Sequence, residues 1–284
     1  MELANGTRSV HSLAHGETFH PVVGPVAEAE ALYVRQLRVA ERARATKEEF
    51  VIWDVGLGAA ANVITVLNAL RGVPGATRVI SFDHTLEPLR FARANAAELG
   101  YPQGWESQIN ALLERGSVEF DLDGRLVHWD SQLGDFPAWL ASPGAAARPK
   151  PHIILYDAFS PKKNAAMWTF DAFQRLHALL DPARPCSLAT YSRSTLLRVT
   201  LLLAGFFVGA GHATGEKEET TIAANTLALI HEPLDQKWLQ RAGNSTSAEP
   251  LSQPVYRQAR LSVENRERLA RHPQFQSPLP RLGF

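Results

Sequence analysis

The feature that most constrains the fold is the stretch of residues 50–62, FVIWDVGLGAAAN, in which an apolar run meets an acidic residue and two glycines. The apolar run is typical of a buried parallel strand, and the glycine turn before alanine-rich sequence indicates the start of a helix. Gly56 and Gly58 can adopt positive φ and let a ligand approach the backbone closely. The N-terminus of the following helix would offer that ligand free N–H groups. The stretch therefore predicts a ligand site on a strand–turn–helix unit.

Asp54 and the absence of a glycine at position 61 distinguish between two classes of ligand, dinucleotides and SAM. A dinucleotide-binding turn would read G-x-G-x-x-G, but Ala61 occupies the place of the third glycine. The pattern D-x-G-x-G, with Asp54 just before the turn, is that of S-adenosylmethionine (SAM) methyltransferases. A tight strand–helix turn without a ligand is the alternative that this stretch alone leaves open.

From Phe50 onward the sequence alternates predicted strands with predicted helices. Asp123-Gly124 is the signal of a hairpin between strands 117–122 and 125–133. The other predicted strands are 78–83, 152–157, 187–191 and 220–231, and the predicted helices are 25–45, 62–70, 86–99, 170–180 and 194–204. The alternation predicts an α/β fold with a Rossmann-like, doubly wound, mostly parallel sheet.

Four acidic residues follow predicted strands: Asp54, Asp83, Asp135 and Asp157. Ligands of open α/β sheets bind outside the carboxyl ends of the strands, so we expect all four along one edge. Asp83, 29 residues after Asp54, would accept hydrogen bonds from ribose hydroxyls, while Asp54 would face an amino group. Asp135, after Gly134, would accept from an adenine amine, which leaves Asp157 at the reacting end. Each carboxylate taken singly could instead cap a helix or a turn.

Composition limits the classes of protein that this chain can be. The 284 residues are 45% hydrophobic, enough for a large globular domain, and no apolar stretch approaches the roughly 18 residues of a membrane span. No signal peptide is visible, and the single cysteine, Cys186, excludes an intrachain disulfide and suits a cytoplasmic protein. His11, His15 and His20 are spaced for a metal site. No carboxylate or cysteine cluster accompanies them, so we expect a polar loop and no metal.

Composition also divides the chain into three predicted parts. Residues 1–48 predict a loop and a helix that pack on the core, residues 49–231 the α/β domain, and residues 232–284 a polar, partly disordered tail. The 29 basic and 29 acidic residues give no global support for nucleic-acid binding. Residues 231–284 carry eight Lys/Arg and five Asp/Glu, a net charge of +3. A polyanion contact would be located there, but an excess of three is more often a solvated surface.

The segment 157–168, DAFSPKKNAAMW, resembles the D-G-F-x-P-x-K-N-P-x-M-W motif of the methyltransferase domain of bacterial MnmC proteins and their stand-alone MnmD relatives. The matching positions are Asp157, Phe159, Pro161, Lys163, Asn164, Met167 and Trp168. Further blocks similar to the family's are DVGLG with Asn62, ISFD at 80–83, TYS at 190–192 with Arg198 and AGF at 204–206, and Gly24 with Glu28. The resemblance covers roughly residues 9–230.

The resemblance implies a SAM-dependent enzyme of class I methyltransferase fold, with residues 49–231 as the SAM-dependent methyltransferase domain. Members of the family methylate the aminomethyl group on the wobble uridine of certain tRNAs. With the strand-end pattern, it assigns catalysis to Asp157 and cofactor binding to Asp54, Gly56, Gly58, Asn62, Asp83, Gly134 and Asp135. Substrate binding is expected from Phe159, Pro161, Lys162, Lys163, Trp168 and Tyr191. The FAD-dependent oxidase half of bifunctional family members has no counterpart in the sequence, so no FAD is expected. The chain departs from the family pattern at Ala60, Ala158, Ala165 and Ala166.

Several of these assignments keep a plainer alternative. Lys162 and Lys163 favour phosphate contacts or form a solvated pair, and Trp168 and Phe159 stack on a base or pack in the core. Tyr191 lines the substrate pocket in this interpretation. For the whole protein, methylation of another amine acceptor and a non-catalytic SAM-fold binding protein remain the competing hypotheses.

Overall fold

The centre of the fold is one large sheet, seen in a computed structural model that describes residues 1–3, 5–13, 16–19, 23–214 and 218–276. The strands in the described residues are β1 His11–Ser12, β2 Glu17–Thr18, β3 Phe50–Val55, β4 Gly75–Asp83, β5 Ser117–Asp121, β6 Arg125–Leu133, β7 Ile153–Tyr156, β8 Ser187–Thr190, β9 Phe207–Gly211 and β10 Thr220–Ala224. The α-helices are α1 Pro25–Ala29, α2 Val39–Ala45, α3 Ala61–Ala69, α4 Glu87–Ala94, α5 Ala96–Leu99, α6 Glu106–Arg115, α7 Phe136–Leu140, α8 Pro143–Ala146, α9 Phe170–Leu179, α10 Thr195–Leu203, α11 Gln236–Asn244, α12 Val263–Ala270 and α13 Pro273–Gln276. A π-helix spans Glu30–Arg35, and 3₁₀ turns span Ala165–Trp168 and Leu227–Leu229.

The sheet has eight strands in the order β5-β6-β4-β3-β7-β8-β10-β9. Strand β3 is parallel to β4 and to β7, β6 is parallel to β4, and β7 is parallel to β8. The antiparallel pairs β5–β6, β8–β10 and β9–β10 lie toward the two outer edges. This confirms the doubly wound, mostly parallel sheet of class I SAM-dependent methyltransferases. The chain adds β4 and β6 on one side of β3 and then β7 on the other side. The strand order therefore reverses at β3, and in such sheets ligands bind at the carboxyl ends next to this switch point.

Alternation along β3 explains why both faces of the sheet are covered. Val51, Trp53 and Val55 belong to one buried cluster, together with apolar residues of α9 and α10. Phe50 and Ile52 belong to the second cluster, with residues of α3 and α6. A strand that is apolar at every position is the expected consequence of helices on both faces.

Local signals located most elements, with several differences. The hairpin at Asp123-Gly124 is confirmed, with φ of 52° and 89° at the two turn residues. The single helix expected over 25–45 is interrupted, because Arg38 adopts a left-handed conformation with φ of 52° before α2 begins. The late strand is shorter than expected and ends at Ala224. Strand β9, Phe207–Gly211, was not predicted, since its glycines weaken the strand pattern.

The C-terminal residues differ most from expectation. We expected an extended, partly disordered tail over 232–284, but the described residues 232–276 form α11, α12 and α13. Their apolar side chains join the core cluster on one face of the sheet: Leu234, Trp238, Ala242, Ala248, Leu251, Leu261, Leu269 and Phe275. These positions are widely spaced in a polar background, which hid them from a composition argument. Residues 277–284 lie outside the described part, and the three-part division of the chain stays a prediction.

None of the helices in the described ranges combines the length and the apolar character needed to cross a membrane.

Candidate functional site

A cavity of about 980 Å³ opens at the carboxyl ends of β3, β4, β6 and β7. Most of the residues that the sequence assigned to a cofactor lie on its wall: Gly56, Gly58, Asn62, Asp83, Gly134 and Asp135. The wall also contains Asp157, Phe159, Lys163 and Tyr191 from the predicted catalytic and substrate-binding set. The structure therefore brings together residues that are up to 135 positions apart in the chain (Gly56 to Tyr191).

The glycine loop after β3 is shaped by close backbone contacts. Gly56 has φ of 98°, and a Cβ atom added there would lie 2.7 Å from the carbonyl oxygen of Asp157. Gly58 has φ of 52°, and a Cβ there would lie 3.2 Å from the Phe19 ring. Only glycine fits where the loop passes the end of β7, because any side chain at Gly56 would displace the neighbouring backbone. Ala60, where the family has glycine, adopts the left-handed conformation with φ of 63°.

Asp83 ends β4 on the cavity wall and is tied to the glycine loop. Its Oδ2 accepts a hydrogen bond of 2.9 Å from the Gly58 N–H, and its Oδ1 accepts one of 2.7 Å from the His84 N–H. Asp135 also lies on the wall, where its Oδ1 caps helix α7 by accepting from the Ala138 N–H at 2.8 Å. Asp83 and Asp135 thus accept hydrogen bonds from backbone N–H groups of a turn and a helix, which was the alternative to ligand binding for each of them. Each carboxylate oxygen can accept more than one hydrogen bond, so these contacts leave capacity toward a ligand.

Asp157 lies directly after β7 and is oriented by the helix that starts at the glycine loop. Its Oδ2 accepts a hydrogen bond of 2.7 Å from Nδ2 of Asn62 in the first turn of α3. Its backbone N–H donates to the Val55 carbonyl at 2.9 Å. Nearby, the Tyr191 hydroxyl donates to the Ala158 carbonyl at 3.3 Å. Burial, with Asp157 and Glu17 adding to it, raises the pKa of Tyr191, so this phenol stays a protonated donor.

Asp54 is placed differently from our expectation. It lies inside β3, one residue before the strand ends, with 1% of its surface exposed, and it is absent from the cavity wall. Its Oδ2 accepts from the Ser81 hydroxyl at 2.7 Å, while its Oδ1 is buried without a hydrogen-bond partner among the described residues. Burial raises the pKa of Asp54 to about 7, and the charges of Asp157 and Asp83 add to that effect. The contact with an amino group that we expected of Asp54 is therefore not supported.

Three predicted substrate-binding residues also lie off the cavity wall: Pro161, Lys162 and Trp168. The Trp168 side chain is fully buried and its Nε1–H donates to the Phe159 carbonyl at 2.7 Å. Trp168 therefore packs in the core and positions the backbone of the loop 158–168. It does not stack on a base, so the base-stacking assignment of Trp168 was wrong. Lys162 is exposed, beside the ring of Tyr256.

The sequence did not predict that N-terminal residues form part of the cavity wall. Residues 9–13 and 17–19, including the short strands β1 and β2, line the cavity, and Phe19 lies next to the glycine loop at Gly58. Glu17 accepts a hydrogen bond of 2.6 Å from the Ser160 hydroxyl, and the rings of Phe19 and Phe159 lie 5.5 Å apart. The only sequence signals were Gly24 and Glu28, which mark the family block but not these contacts.

The expected metal-free loop is only partly visible. Within the described residues, no group of three or more His, Cys, Asp or Glu side chains could hold a metal ion. His11 is described, and its Nδ1 lies 2.8 Å from the Thr18 hydroxyl. His15 and His20 lie outside the described residues.

The chemistry of the cavity fits SAM, which consists of adenosine joined through a sulfonium to an amino-acid end. Carboxylate acceptors at Asp83 and Asp135 suit the ribose hydroxyls and the adenine amine, and Phe82 and Phe136 supply apolar wall beside them. Gly56 and Gly58 lie on the cavity wall without side chains, so a ligand can approach the backbone of the glycine loop closely. The carboxylates on the wall also suit a ligand that carries positive charge.

Comparisons with known proteins agree with this geometry. The model of a family described as S-adenosyl-L-methionine-dependent methyltransferase matches residues 110–226. The tRNA 5-methylaminomethyl-2-thiouridine biosynthesis bifunctional protein MnmC of Azoarcus sp. (strain BH72) is 30% identical over 216 residues, 74% of this chain and 33% of that protein. The protein of the same name from Methylibium petroleiphilum is 26% identical over 246 residues, 83% of this chain and 36% of that protein. The chain thus spans about a third of the length of these curated relatives.

Among solved structures, the crystal structure of MNMC2 from Aquifex aeolicus superposes with a TM-score of 0.67 at 25% sequence identity. The match covers 88% of this chain and 76% of that chain, so it includes the sheet and the cavity rather than an isolated motif.

Proposed function

From the premise that this chain is an MnmC methyltransferase-domain-like protein with SAM as its cofactor, we propose that it N-methylates the aminomethyl group of the wobble uridine in tRNA. The product of this step would be 5-methylaminomethyl-2-thiouridine from 5-aminomethyl-2-thiouridine. The observation that carries the proposal is the placement of Asp157, oriented by Asn62 at 2.7 Å, on the same cavity wall as the glycine loop. A carboxylate at that point suits an acceptor that is an amine.

We assign the adenosine end of the cavity to Asp83, Gly134 and Asp135, and the neighbourhood of the sulfonium to Gly56 and Gly58. The cofactor supplies an electrophilic methyl group, so the protein has to deliver a lone pair in line with it. A primary alkylamine is mostly protonated near neutral pH and lacks that lone pair. Asp157 attracts the ammonium form, accepts its proton directly or through water, and holds the neutral amine in place.

The aromatic residues near Asp157 support an acceptor carried on a nucleobase. Phe159 and Tyr191 lie on the wall beside Asp157, and the Phe19 ring packs 5.5 Å from the Phe159 ring. Such rings offer surfaces on which a base can stack. Lys163, also on the wall, suits the phosphate that a nucleotide brings with it. We propose tRNA as the partner on this basis, and a tRNA acceptor implies a cytoplasmic location.

A small amine remains the alternative acceptor, because the chain departs from the family motif at two positions and has no net positive charge. Ala165 and Ala166 replace a proline and an aspartate of the family motif, and the chain as a whole has a net charge of +0. A small cationic amine would need Asp157 but no phosphate contacts. The alternative is therefore a SAM-dependent methyltransferase for a small amine.

The proposal is tested by methyl transfer from labelled SAM to tRNA purified from a strain that lacks the modification. We expect label in the wobble nucleoside after digestion, and none with tRNA that already carries the methylated group. Transfer to small amines but not to this tRNA would establish the second acceptor class. Lack of transfer to either acceptor by a protein that binds SAM would refute both.

A further inference from the structure

The C-terminal segment 250–263 lies beside the loop 158–168, several residues of which line the cavity. The Phe170 N–H donates a hydrogen bond of 2.9 Å to the Leu251 carbonyl, and Thr169 and Leu251 form a parallel bridge. Leu251 is fully buried in the core cluster that also contains Trp168. The segment is thus anchored next to the loop 158–168 rather than free in solution.

These two adjacent segments carry cations and no acidic residue. Residues 158–170 contain Lys162 and Lys163, residues 250–263 contain Arg257 and Arg260, and neither segment contains Asp or Glu. Ion pairs in the described part of the chain do not include any of the four cations, although Arg257 does donate to the Ser252 hydroxyl at 3.3 Å. Glu17 and Glu249 accept hydrogen bonds from Ser160 and Ser262 of these segments. The four cations outnumber these two carboxylates, so an excess of positive charge remains here in a chain of net charge +0.

An aromatic contact links the two segments. The Lys162 ammonium lies over the ring of Tyr256, 5.9 Å from the ring centroid. This distance is within reach of a cation–π attraction, which holds an otherwise flexible side chain. Tyr256 is itself half-buried against the core, whereas Val255 and Arg257 on either side of it are exposed. We call Lys162, Lys163, Tyr256 and Arg257 the basic strip.

The basic strip leads to the cavity. Lys163 lies on the cavity wall, and Lys162, next to it in sequence, lies off the wall beside Tyr256. The strip therefore joins the reacting end of the cavity to the protein surface. A strand of RNA whose base entered the cavity would have to place its neighbouring phosphates on this surface.

We propose that the basic strip binds the phosphate backbone of the RNA that carries the acceptor, with Tyr256 as the residue that positions Lys162. The proposal rests on the proposed tRNA function and adds to it a docking surface built by the C-terminal segment. Lys162 and Arg257 supply the phosphate contacts outside the cavity, and Lys163 supplies one at its wall.

The test is tRNA binding by the double variant Lys162→Gln/Arg257→Gln of the full chain. The matched control is Arg44→Gln/Lys47→Gln, which removes one arginine and one lysine from exposed positions. Arg44 lies in the last turn of α2, and Lys47 lies just before the amino end of β3, away from the carboxyl ends that form the cavity. Binding of tRNA purified from a strain lacking the modification is measured across salt concentrations. We expect the slope of log affinity against log salt to fall by about two in the double variant and to stay at the wild-type value in the control. SAM binding, followed by calorimetry, should be unchanged in both.

The role of Tyr256 has its own test. Tyr256→Phe keeps the ring and should bind tRNA like the wild type, whereas Tyr256→Leu should weaken binding about as much as Lys162→Gln alone. Equal salt slopes in the double variant and the control, with tRNA bound by the wild type, would overturn the docking surface alone. Failure of the wild type to bind tRNA at any salt concentration would instead overturn the proposed function.

Discussion

Nδ2 of Asn62 donates a hydrogen bond of 2.7 Å to Oδ2 of Asp157, across 95 residues of sequence. Asn62 belongs to the first turn of α3, directly after the glycine loop, and Asp157 directly follows β7. The same two elements meet again where Gly56 approaches the Asp157 carbonyl. The position of the carboxylate is thus fixed by the loop that we assign to the cofactor, which places the proton acceptor relative to the methyl donor.

The Asn62–Asp157 contact predicts the outcome of Asn62→Asp. Two carboxylates at hydrogen-bond distance cannot both ionise easily, so the pair should hold a shared proton near neutral pH. We expect the single-turnover methylation rate to fall at neutral pH and to recover relative to the wild type as pH rises. The control is Asn68→Asp, an exposed position on the same helix. A constant ratio of variant to wild-type rates from pH 6 to about 9 would show that Asn62 does not act through Asp157.

The sheet edge was predictable from the sequence because strand-end carboxylates follow a simple rule. Asp83 is the last residue of β4, and Asp135 and Asp157 follow β6 and β7. All three reach the cavity, as parallel strands with a common carboxyl edge require. Asp54 does not, because β3 continues through Val55 and its side chain stays within the sheet layer. When a strand continues one residue further, the acidic residue stays within the sheet instead of following it. A sequence locates strand ends only approximately, so this difference could not be predicted.

Burial of single aromatic and apolar residues was less predictable. Trp168 matches a family motif in the same way as Phe159, yet one is fully buried and the other lies on the cavity wall. Nothing local separates the two, because the difference comes from packing against distant elements. The helices after Glu232 could not be predicted for the same reason. Their apolar residues are isolated in the sequence, and only the structure shows that residues such as Trp238 and Leu251 pack on the sheet.

Asp83→Ala tests the ribose contact. Losing a charged hydrogen-bond partner should weaken SAM binding by roughly 1–3 kcal/mol in calorimetry. Because Asp83 also holds the Gly58 N–H, the measurement needs a second arm with a SAM analogue that lacks the ribose hydroxyls. The wild type should lose affinity for the analogue, and the variant should bind both ligands alike. Equal discrimination by both proteins would mean that Asp83 only supports the loop.

Gly56→Ala should destabilise the protein through a backbone collision. The added Cβ would lie 2.7 Å from the Asp157 carbonyl, at a residue with φ of 98°. The control is Gly104→Ala, where φ is 81° but no atom lies within 4 Å of the added Cβ. Both variants carry the strain of positive φ, so only the first adds the collision. We expect its free energy of unfolding, from denaturant titration, to fall by about 1–3 kcal/mol more than that of the control. Similar losses in the two variants would contradict a tight approach of β7 to the loop.

Asp54→Asn should change how stability depends on pH. The folded-state pKa of Asp54 is raised to about 7 from an ordinary value near 4, so the folded protein holds a proton that the unfolded chain releases. The free energy of unfolding should therefore fall as pH rises from about 4 to about 7, by at most about 1.4 kcal/mol per pH unit. The variant lacks this contribution, so its stability relative to the wild type should rise across that range. Parallel stability curves for the two proteins would exclude a raised pKa at Asp54.

Asp157→Asn separates proton acceptance from binding and folding. Asparagine keeps the shape of the side chain but removes the charge that attracts an ammonium group and accepts its proton. The Asn62 contact can persist through the side-chain oxygen, so the geometry at the end of β7 should be retained. We expect unchanged denaturation, near-normal SAM affinity and a single-turnover methylation rate lower by roughly 10²-fold or more.

The matched control for this loop is Asn164→Asp, which adds a charge on the cavity wall without touching the assigned base. If the rate defect of Asp157→Asn reflects a missing base, it should shrink as pH rises, since more of the amine is then already neutral. Asn164→Asp should show no such pH-dependent recovery. A rate for Asp157→Asn within a few-fold of the wild type, measured with a confirmed acceptor, would make Asp157 structural. The proton would then have to leave the amine by a route that does not use the strand end.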